Sequence, residues 1–355
     1  KNYYHHQQKI NSIMDSINTK WEVRNIAEFG VIALAWDELN KRNNNQAILC
    51  ASFVSALLDA FGSSEECLVL AWHENNLVFA SIFEKKSRYR WQTFQPSQAP
   101  LGCIICSEDM LNEQTLKQVA KLLPSKPLLL DLTQIDSAQF PKDSTSFLFT
   151  SPYISTGSIE LPSDFTAYFA SLSKNARQNF NKARNRLAKL DITTKLEIVT
   201  DKDEIKKFIG IYGDIESDGW KDAEGTAVHR DNSQGQFYSD MFYRFAEQEA
   251  AQIWCYYFDD EIVAVDLCVL MNEVLVILKT TYAEKHAKYS PSLLMKLDAY
   301  EKLGLEGKVK TIEYFGKTKD WHRRLQCEER DIYHATWCKF PTLFRLFNTI
   351  KKKLT

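Results

Sequence analysis

A chain of 355 residues is long enough for two domains or one large one. Its 45% hydrophobic and 25% charged residues make an ordinary globular mixture, and a formal net charge of -2 gives no bulk-charge argument for binding duplex nucleic acid. No run approaches the roughly 18 apolar residues of a membrane span and no secretory leader opens the sequence, so the expectation is a cytoplasmic protein without a transmembrane segment.

In chain order, residues 1 to 45 read as helical and polar, anchored by Trp21, Ile26, Phe29 and Trp36. Gln46 to Phe61 reads as an apolar helix ending near Gly62. Two strands follow, Cys67 to Trp72 and Leu77 to Phe83, with His73 to Asn76 as the turn. Leu101 to Cys106 reads as a strand, Glu108 to Leu123 as an amphipathic helix, and Leu128 to Leu132 as a buried strand. Within this stretch Cys103 and Cys106 have CxxC spacing but no second pair nearby, so no metal site is expected. Prolines at 124, 127, 141, 152 and 162 then punctuate the chain. With weak strands at 146 to 150 and 158 to 161, they place a boundary there, giving domains 1–155 and 156–355.

Ser163-Asp164 opens a long helix whose apolar stripe is Ala176, Phe180, Ala183, Leu187 and Leu190. Its other faces carry Lys174, Arg177, Lys182, Arg184, Arg186 and Lys189, with no acid between 174 and 190. Such a face is either simply solvated or a surface for a phosphate-rich ligand. A strand at Lys195 to Val199, a helix at Asp203 to Gly213, a polar loop at 219 to 236 and a helix at Phe237 to Glu249 follow. Three strands joined by tight turns occupy Ala251 to Phe258, Glu261 to Met271 and Glu273 to Lys279. After the polar connection Ala283 to Lys288, a helix opens at Tyr289-Ser-Pro-Ser292, with Ser290 as N-cap, Pro291 at the first helical position and Gly304 at the exit. A last strand, Val309 to Phe315, and a basic amphipathic tail helix, Phe340 to Leu354, complete the chain. The second half therefore reads β-α-α-β-β-β-α-β, and the whole as α/β with mixed sheets flanked by helices.

The first turn of a helix leaves free backbone N–H groups and a partial positive charge, a combination that binds phosphate. Neither GxGxxG nor GxxxxGK[ST] is present, so the helix at Ser290 is either a well-capped crossover helix or a phosphate site of another kind. Asp266 interrupts the apolar strand Val263 to Val269, and strand alternation puts it on one face with Ala264 and Cys268. A carboxylate there must be paired, perturbed or turned to a cleft, and Lys279 on the next strand is the candidate structural partner. Glu216, in a polar segment beside Trp220 and Lys221, is the rival acid.

Several motifs coincide. They are the basic helix from Ser171 to Arg186, Glu216-Ser-Asp-Gly-Trp-Lys221 with Gly225-Thr226, Ile262-Val-Ala264, Tyr282 with Tyr289-Ser-Pro-Ser292, and Phe315-Gly316 followed by Asp320-Trp321 and Arg323-Arg324. With Trp36-Asp-Glu-Leu39 and Ala99-Pro-Leu-Gly102 in the first half, this set resembles the CelD-like branch of the GNAT acyltransferase superfamily, relatives of the Fem aminoacyltransferases. The family usually has Gly where Ser292 stands, and often Tyr-Lys near Trp321-His322.

The resemblance implies two tandem GNAT-like domains and an acyl-CoA-dependent N-acyltransferase, using acetyl-CoA or another acyl-CoA. The acceptor would be a small molecule or glycan precursor, such as an amino sugar of envelope polysaccharide biosynthesis. The donor would lie against Leu278, Lys279, Thr280, Lys288, Ser290, Ser292 and Leu293, with strand N–H groups of Leu278 to Thr280 binding the thioester carbonyl. Trp220, Lys221, Lys279, Phe315, Asp320 and Trp321 would line the acceptor. Asp266 is preferred to Glu216 as the base, and Tyr282 or Tyr289 would protonate the leaving thiolate. Fem relatives use aminoacyl-tRNA, and the basic helix would then meet RNA phosphates. A non-catalytic binding module is the third alternative.

Overall fold

The computed structural model describes residues 19–43, 45–217, 228 and 232–345. They form two compact units, one spanning Ile154–Arg330 and the other built from the chain on either side of it.

The first unit opens with a strand where a helix is expected: β1, Thr19–Asn25. Every one of its residues pairs antiparallel with β2, Cys67–His73, from Thr19↔His73 to Asn25↔Cys67. The reason is visible in Lys20-Trp-Glu-Val-Arg24, which alternates polar and apolar at the strand period. Helix α1, Phe29–Asn43, follows and buries Phe29, Ile32, Trp36 and Leu39 at spacings of 3, 4 and 3. The Trp36 indole N–H, fully buried, donates to the Leu49 carbonyl at 2.7 Å. Helix α2, Ala51–Phe61, ends at Gly62 as expected.

The meander continues through β3, Asn76–Ser87, to a four-residue strand that sequence reading misses: β4, Arg90–Thr93. A short β5, Ile104–Cys106, pairs with β3 in place of the longer strand expected from Leu101. Cys103 and Cys106 are buried free thiols; burial pushes Cys103 up to about 12 and Cys106 higher still. Helix α3, Glu113–Leu122, starts at Asn112, whose side chain accepts the Thr115 N–H at 2.9 Å. Strand β6, Leu129–Asp136, then runs parallel to β4.

Beyond Thr93 the space between β4 and β6 is filled by the chain itself. Gly102 N–H donates to the Thr133 carbonyl at 3.1 Å, Cys103 N–H to Phe94 at 3.1 Å, and Ser81 Oγ to the Cys103 carbonyl at 2.8 Å. The Thr93 and Thr133 hydroxyls close the seam at 2.7 Å.

The second unit begins with β7, Phe149–Glu160, a single strand across the two short ones expected. The expected long helix is two: α4, Phe165–Ser171, and α5, Lys174–Ala188. Leu172 adopts extended backbone, and Ser173 caps the second helix by accepting the Ala176 N–H at 3.2 Å. The stripe Ala176, Phe180, Ala183 and Leu187 is buried, whereas Leu190 is exposed.

From there the order follows the sequence reading: β8, Thr194–Val199; α6, Lys202–Ser217; α7, Ser233–Ala246; β9, Ala251–Phe258; β10, Glu261–Met271; β11, Val274–Tyr282; α8, Pro291–Glu306; and β12, Thr311–Tyr314. The connection before α8 is a 3-10 turn, Glu284–Tyr289. Helix α8 exits not at Gly304 but at Gly307, in the left-handed region at φ 67. Gly304 lies inside the helix, where it is glycine because a Cβ would stand 2.7 Å from the Pro162 carbonyl oxygen.

The unit's sheet runs β8-β9-β10-β11-β12-β7, antiparallel except for β11 with β12. The first unit repeats this scheme, because β1-α1-α2-β2-β3-β4-α3-β6 matches β8-α6-α7-β9-β10-β11-α8-β12. A short helix α9, Asp320–Arg324, precedes the last strand, β13, Glu328–Cys338. Its residues from Ile332 onward pair antiparallel with β6, so the segment assigned by sequence to the second domain returns to the first unit. Each half thus donates its final strand to the other: β7 follows β6 in the chain but pairs with β12, and β13 follows β12 but pairs with β6. Of the expected tail helix, 341–345 is helical and 346–355 lies outside the described residues. Among the described residues no helix is long and apolar enough to cross a membrane.

Candidate functional site

The site forms where β11 leaves its parallel partner. Pairing with β12 stops at Ile277↔Tyr314, while β11 runs on to Tyr282, still paired to β10 on its other edge through Ala264↔Tyr282. The register slips between Leu267 and Cys268, which face Lys279 and Ile277, so Leu278 is the extra residue of a bulge. The bulge sits where the strands part, and the edge of Lys279 to Tyr282 that would face β12 has no strand pairing among the described residues. Thr280 is at the middle of that edge, directly across from Asp266.

Asp266 is fully buried and its partner is not Lys279 but Lys296, one turn into α8, with Nζ 2.6 Å from Oδ2. The register explains the correction. Lys279 faces Leu267 and so points to the opposite side of the sheet from Thr280 and Asp266. There its ammonium lies over the Tyr238 ring, 5.6 Å from the centroid. Lys296, 1% exposed, gives its other two N–H groups to Thr280 Oγ1 and Ser292 Oγ, both at 3.1 Å. The Thr280 hydroxyl donates to Asp266 Oδ1. Lys296 Nζ also stands 5.1 Å from the centre of the Trp321 ring.

Lys296 is the site residue that sequence reading misses. The signal was present: it lies between Met295 and Leu297 in an apolar helix, four residues after Ser292, at the spacing that places both on one face.

Glu216, expected in a polar segment beside Trp220 and Lys221, is also buried, in the last turn of α6, beyond the Gly213 end expected for that helix. Its Oε1 accepts the Tyr212 hydroxyl at 3.0 Å and Oε2 the Val228 N–H at 2.8 Å. The Tyr212 hydroxyl lies 3.5 Å from the Thr280 carbonyl, so the two candidate acids approach Thr280 by different routes. Burial, with the neighbouring Glu216 carboxylate, pushes the Tyr212 phenol well above its ordinary range.

Next to Lys296, α9 holds His322 in a stack on Trp321, with centroids 3.5 Å apart, and edge-on to Tyr314 at 4.7 Å. His322 Nδ1 accepts the Lys319 N–H at 2.9 Å. Burial and then the Lys296 charge push the imidazole down to about 4, so it is neutral near pH 7. The buried hydroxyls of Tyr300 and Tyr314 bond to each other beneath this cluster.

The helix start offers an anion less than expected. Pro291 has no N–H, and the N–H groups of Leu293 and Leu294 both donate to the Ser290 carbonyl at 3.1 Å. Ser290 sits in the left-handed region at φ 53, and its side chain makes no capping bond. The remaining candidates scatter. Tyr282 is exposed at the end of β11, and Tyr289 is a buried packing ring against Phe258, with Lys288 over its face at 4.9 Å. Leu293 packs on the core. Phe315 is buried beneath the Arg330 guanidinium at 5.5 Å. Asp320 is exposed and paired with Arg323 at 3.3 Å. Trp220 and Lys221 lie outside the described residues. On the basic helix, Arg184 is taken by Asp298 of α8 at 2.6 Å, while Lys182, Arg186 and Lys189 line an open concavity with Gln178, Asn181 and Asn185.

Residues 174–323 match the sequence model of a family described as an acetyltransferase (GNAT) domain. No curated protein sequence matches the chain. Among solved structures the fold is similar to FemX, at 10% identity over 92% of this chain and 99% of that one, with a TM-score of 0.61. It is similar to the C-terminal domain of a putative lysylphosphatidylglycerol synthetase from Agrobacterium fabrum, at 10% identity over 91% and 96%, with a TM-score of 0.54. It also resembles L-PGS from Bacillus licheniformis, at 13% identity over 88% and 92%, with a TM-score of 0.52. These likenesses establish the fold, and the family match falls on the unit that carries the site.

Proposed function

From the match of residues 174–323 to the acetyltransferase (GNAT) domain model, we propose that the chain is an N-acyltransferase that takes its acyl group from an acyl-CoA thioester. The carrying observation is the parting of β11 from β12 at a bulge. There β11 runs on over Lys279 to Tyr282 without its β12 partner, beside the start of α8. An extended pantetheine arm can pair with such an edge as a strand would, with its phosphates toward Ser292 and the exposed Lys288. Strand N–H groups at Leu278 to Thr280 are then the donors for the carbonyl oxygen as negative charge develops on it.

In the reaction an acceptor amine attacks the thioester carbonyl carbon. The C–N bond forms, the C–S bond breaks, the amine proton passes to a base, and the thiolate leaves and is protonated. Both oxygens of Asp266 are engaged by Lys296 and Thr280, and none of its surface is open. Its geometry suits holding Lys296 better than receiving that proton; Glu216 is buried too, its oxygens accepting the Tyr212 hydroxyl and the Val228 N–H, so the base is whichever of the two acids the reaction cannot lose. The acceptor in this reading is an amine of a small molecule or glycan precursor.

Calorimetry with acetyl-CoA and longer acyl-CoAs tests the donor, and turnover of Glu216→Gln against Asp266→Asn tests the base. Loss of a general base costs about 10²–10⁴ in rate. The variant that shows that loss while still folded at the assay temperature names the base, and one that only melts earlier with turnover retained is structural. No heat with any acyl-CoA sinks the donor assignment.

A second reading, an aminoacyl-tRNA donor as in Fem-type enzymes, is favoured by two observations. The α8 start is short of free N–H groups, and α5 presents Lys182, Arg186 and Lys189 with three side-chain amides around one concavity. A gel shift with bulk tRNA at low salt decides it: RNA-phosphate binding gives a complex whose affinity falls steeply with added salt.

A further inference from the structure

We infer that Lys296 is a positioning residue: its buried ammonium sets the distance between the end of β11 and the first turn of α8, and so the register of the donor. The inference rests on the acyl-donor reading given above.

Three elements meet at this one nitrogen. Asp266 comes from the middle strand β10, Thr280 from the stretch of β11 beyond β12, and Ser292 from the first turn of α8. All three protons of the ammonium are used, each on a different element. The Thr280 hydroxyl lies 3.3 Å from Ser292 Oγ, which closes the network on itself. The same two residues that would flank the thioester and the phosphates are therefore held through one lysine.

Stability is a poor explanation for such a pair. Burying two charges carries a desolvation cost that their attraction often fails to recover, and an apolar pair of similar volume is commonly as stable or more so. What an apolar pair cannot reproduce is the directed bonding to two hydroxyls. The network also accounts for Ser292 where the resembling family usually has Gly. Here the side chain turns inward to Lys296 instead of standing in the path of a pyrophosphate.

The test is a cycle of Lys296→Met, Asp266→Leu and the double variant against the wild type. Each single variant strands one buried polar group and is expected to melt earlier. The double variant removes both charges and is expected to recover the wild-type melting temperature. If Lys296 positions the donor, the double variant still binds acetyl-CoA at least tenfold more weakly by calorimetry, with the acceptor KM unchanged. In the absence of donor, amide hydrogen exchange of the double variant rises over both 278–282 and 290–297. Recovery of donor affinity along with the melting temperature, or unchanged exchange in both segments, overturns the inference. If the wild type binds no acyl-CoA yet exchange rises in both segments, the donor reading falls and the lock between β11 and α8 stands.

Discussion

Replacing Gly102 with Ala probes how the first unit differs from the second at the equivalent place. In the second unit the strand pair parts and leaves an edge; in the first, the turn before β5 fills the seam. A Cβ on Gly102 would lie 2.4 Å from the Thr133 carbonyl oxygen, 2.5 Å from Thr93 Oγ1 and 2.9 Å from Thr133 Oγ1. None of these is the far end of a flexible side chain, so the backbone must move. Overpacking of this kind costs about 1–3 kcal/mol. The displaced Gly102 N–H bond to Thr133 adds about 1 kcal/mol. At roughly 2–4 °C per kcal/mol for a unit of this size, a total near 3 kcal/mol lowers its melting transition by about 6–12 °C. Differential scanning calorimetry of the variant against the wild type reads this directly. An unchanged thermogram would refute the close fit at this seam.

Two further outcomes follow from the second unit. The unfolded chain protonates His322 near 6.5 while the folded chain resists until about 4, so its stabilising share is complete above 6.5 and is lost as pH falls toward 4. That share is on the order of 3 kcal/mol. His322→Asn, which can still accept the Lys319 N–H, should flatten the urea-stability curve between those pH values, and an identical slope would contradict the assignment. Ser290→Gly relieves a left-handed residue at the start of α8 and should stabilise by about 1 kcal/mol, read as a higher urea midpoint with unchanged slope.

The order of elements in the second unit was legible because each carried its own local signal: alternation in the meander, Pro291 at the helix start, the stripe from Ala176 to Leu187. The strand β1 was equally legible from Lys20 to Arg24 but was overruled by the helical residues after it. The site was legible only in half. Asp266 announced itself as a charge in a buried strand, and Thr280 and Ser292 fell within the expected donor segment. What joins them is a contact across 30 positions, from Asp266 to Lys296, and a periodicity argument over one strand has no means of choosing between a lysine on the neighbouring strand and one on a later helix. Glu216 failed in the opposite way. The polar composition after it suggested a loop, whereas Tyr212 and the Val228 N–H provide the bonds that let it be buried. The fate of β13 was out of reach because nothing local in a strand records which sheet edge it will join.

That last strand puts a clock into the protein's synthesis. The edge of β6 is complete once Asp136 has left the ribosome, but the strand that covers it ends at Cys338, about 200 residues later. At roughly 5–20 residues per second the edge waits about 10–40 s for its partner. An uncovered strand edge is a template for any other strand that reaches it, and the first to emerge is β7, the one that must go elsewhere. Newly made chains therefore pass through an interval in which a simple β6–β7 hairpin competes with the native exchange, and slowing translation past residue 160 would lengthen it.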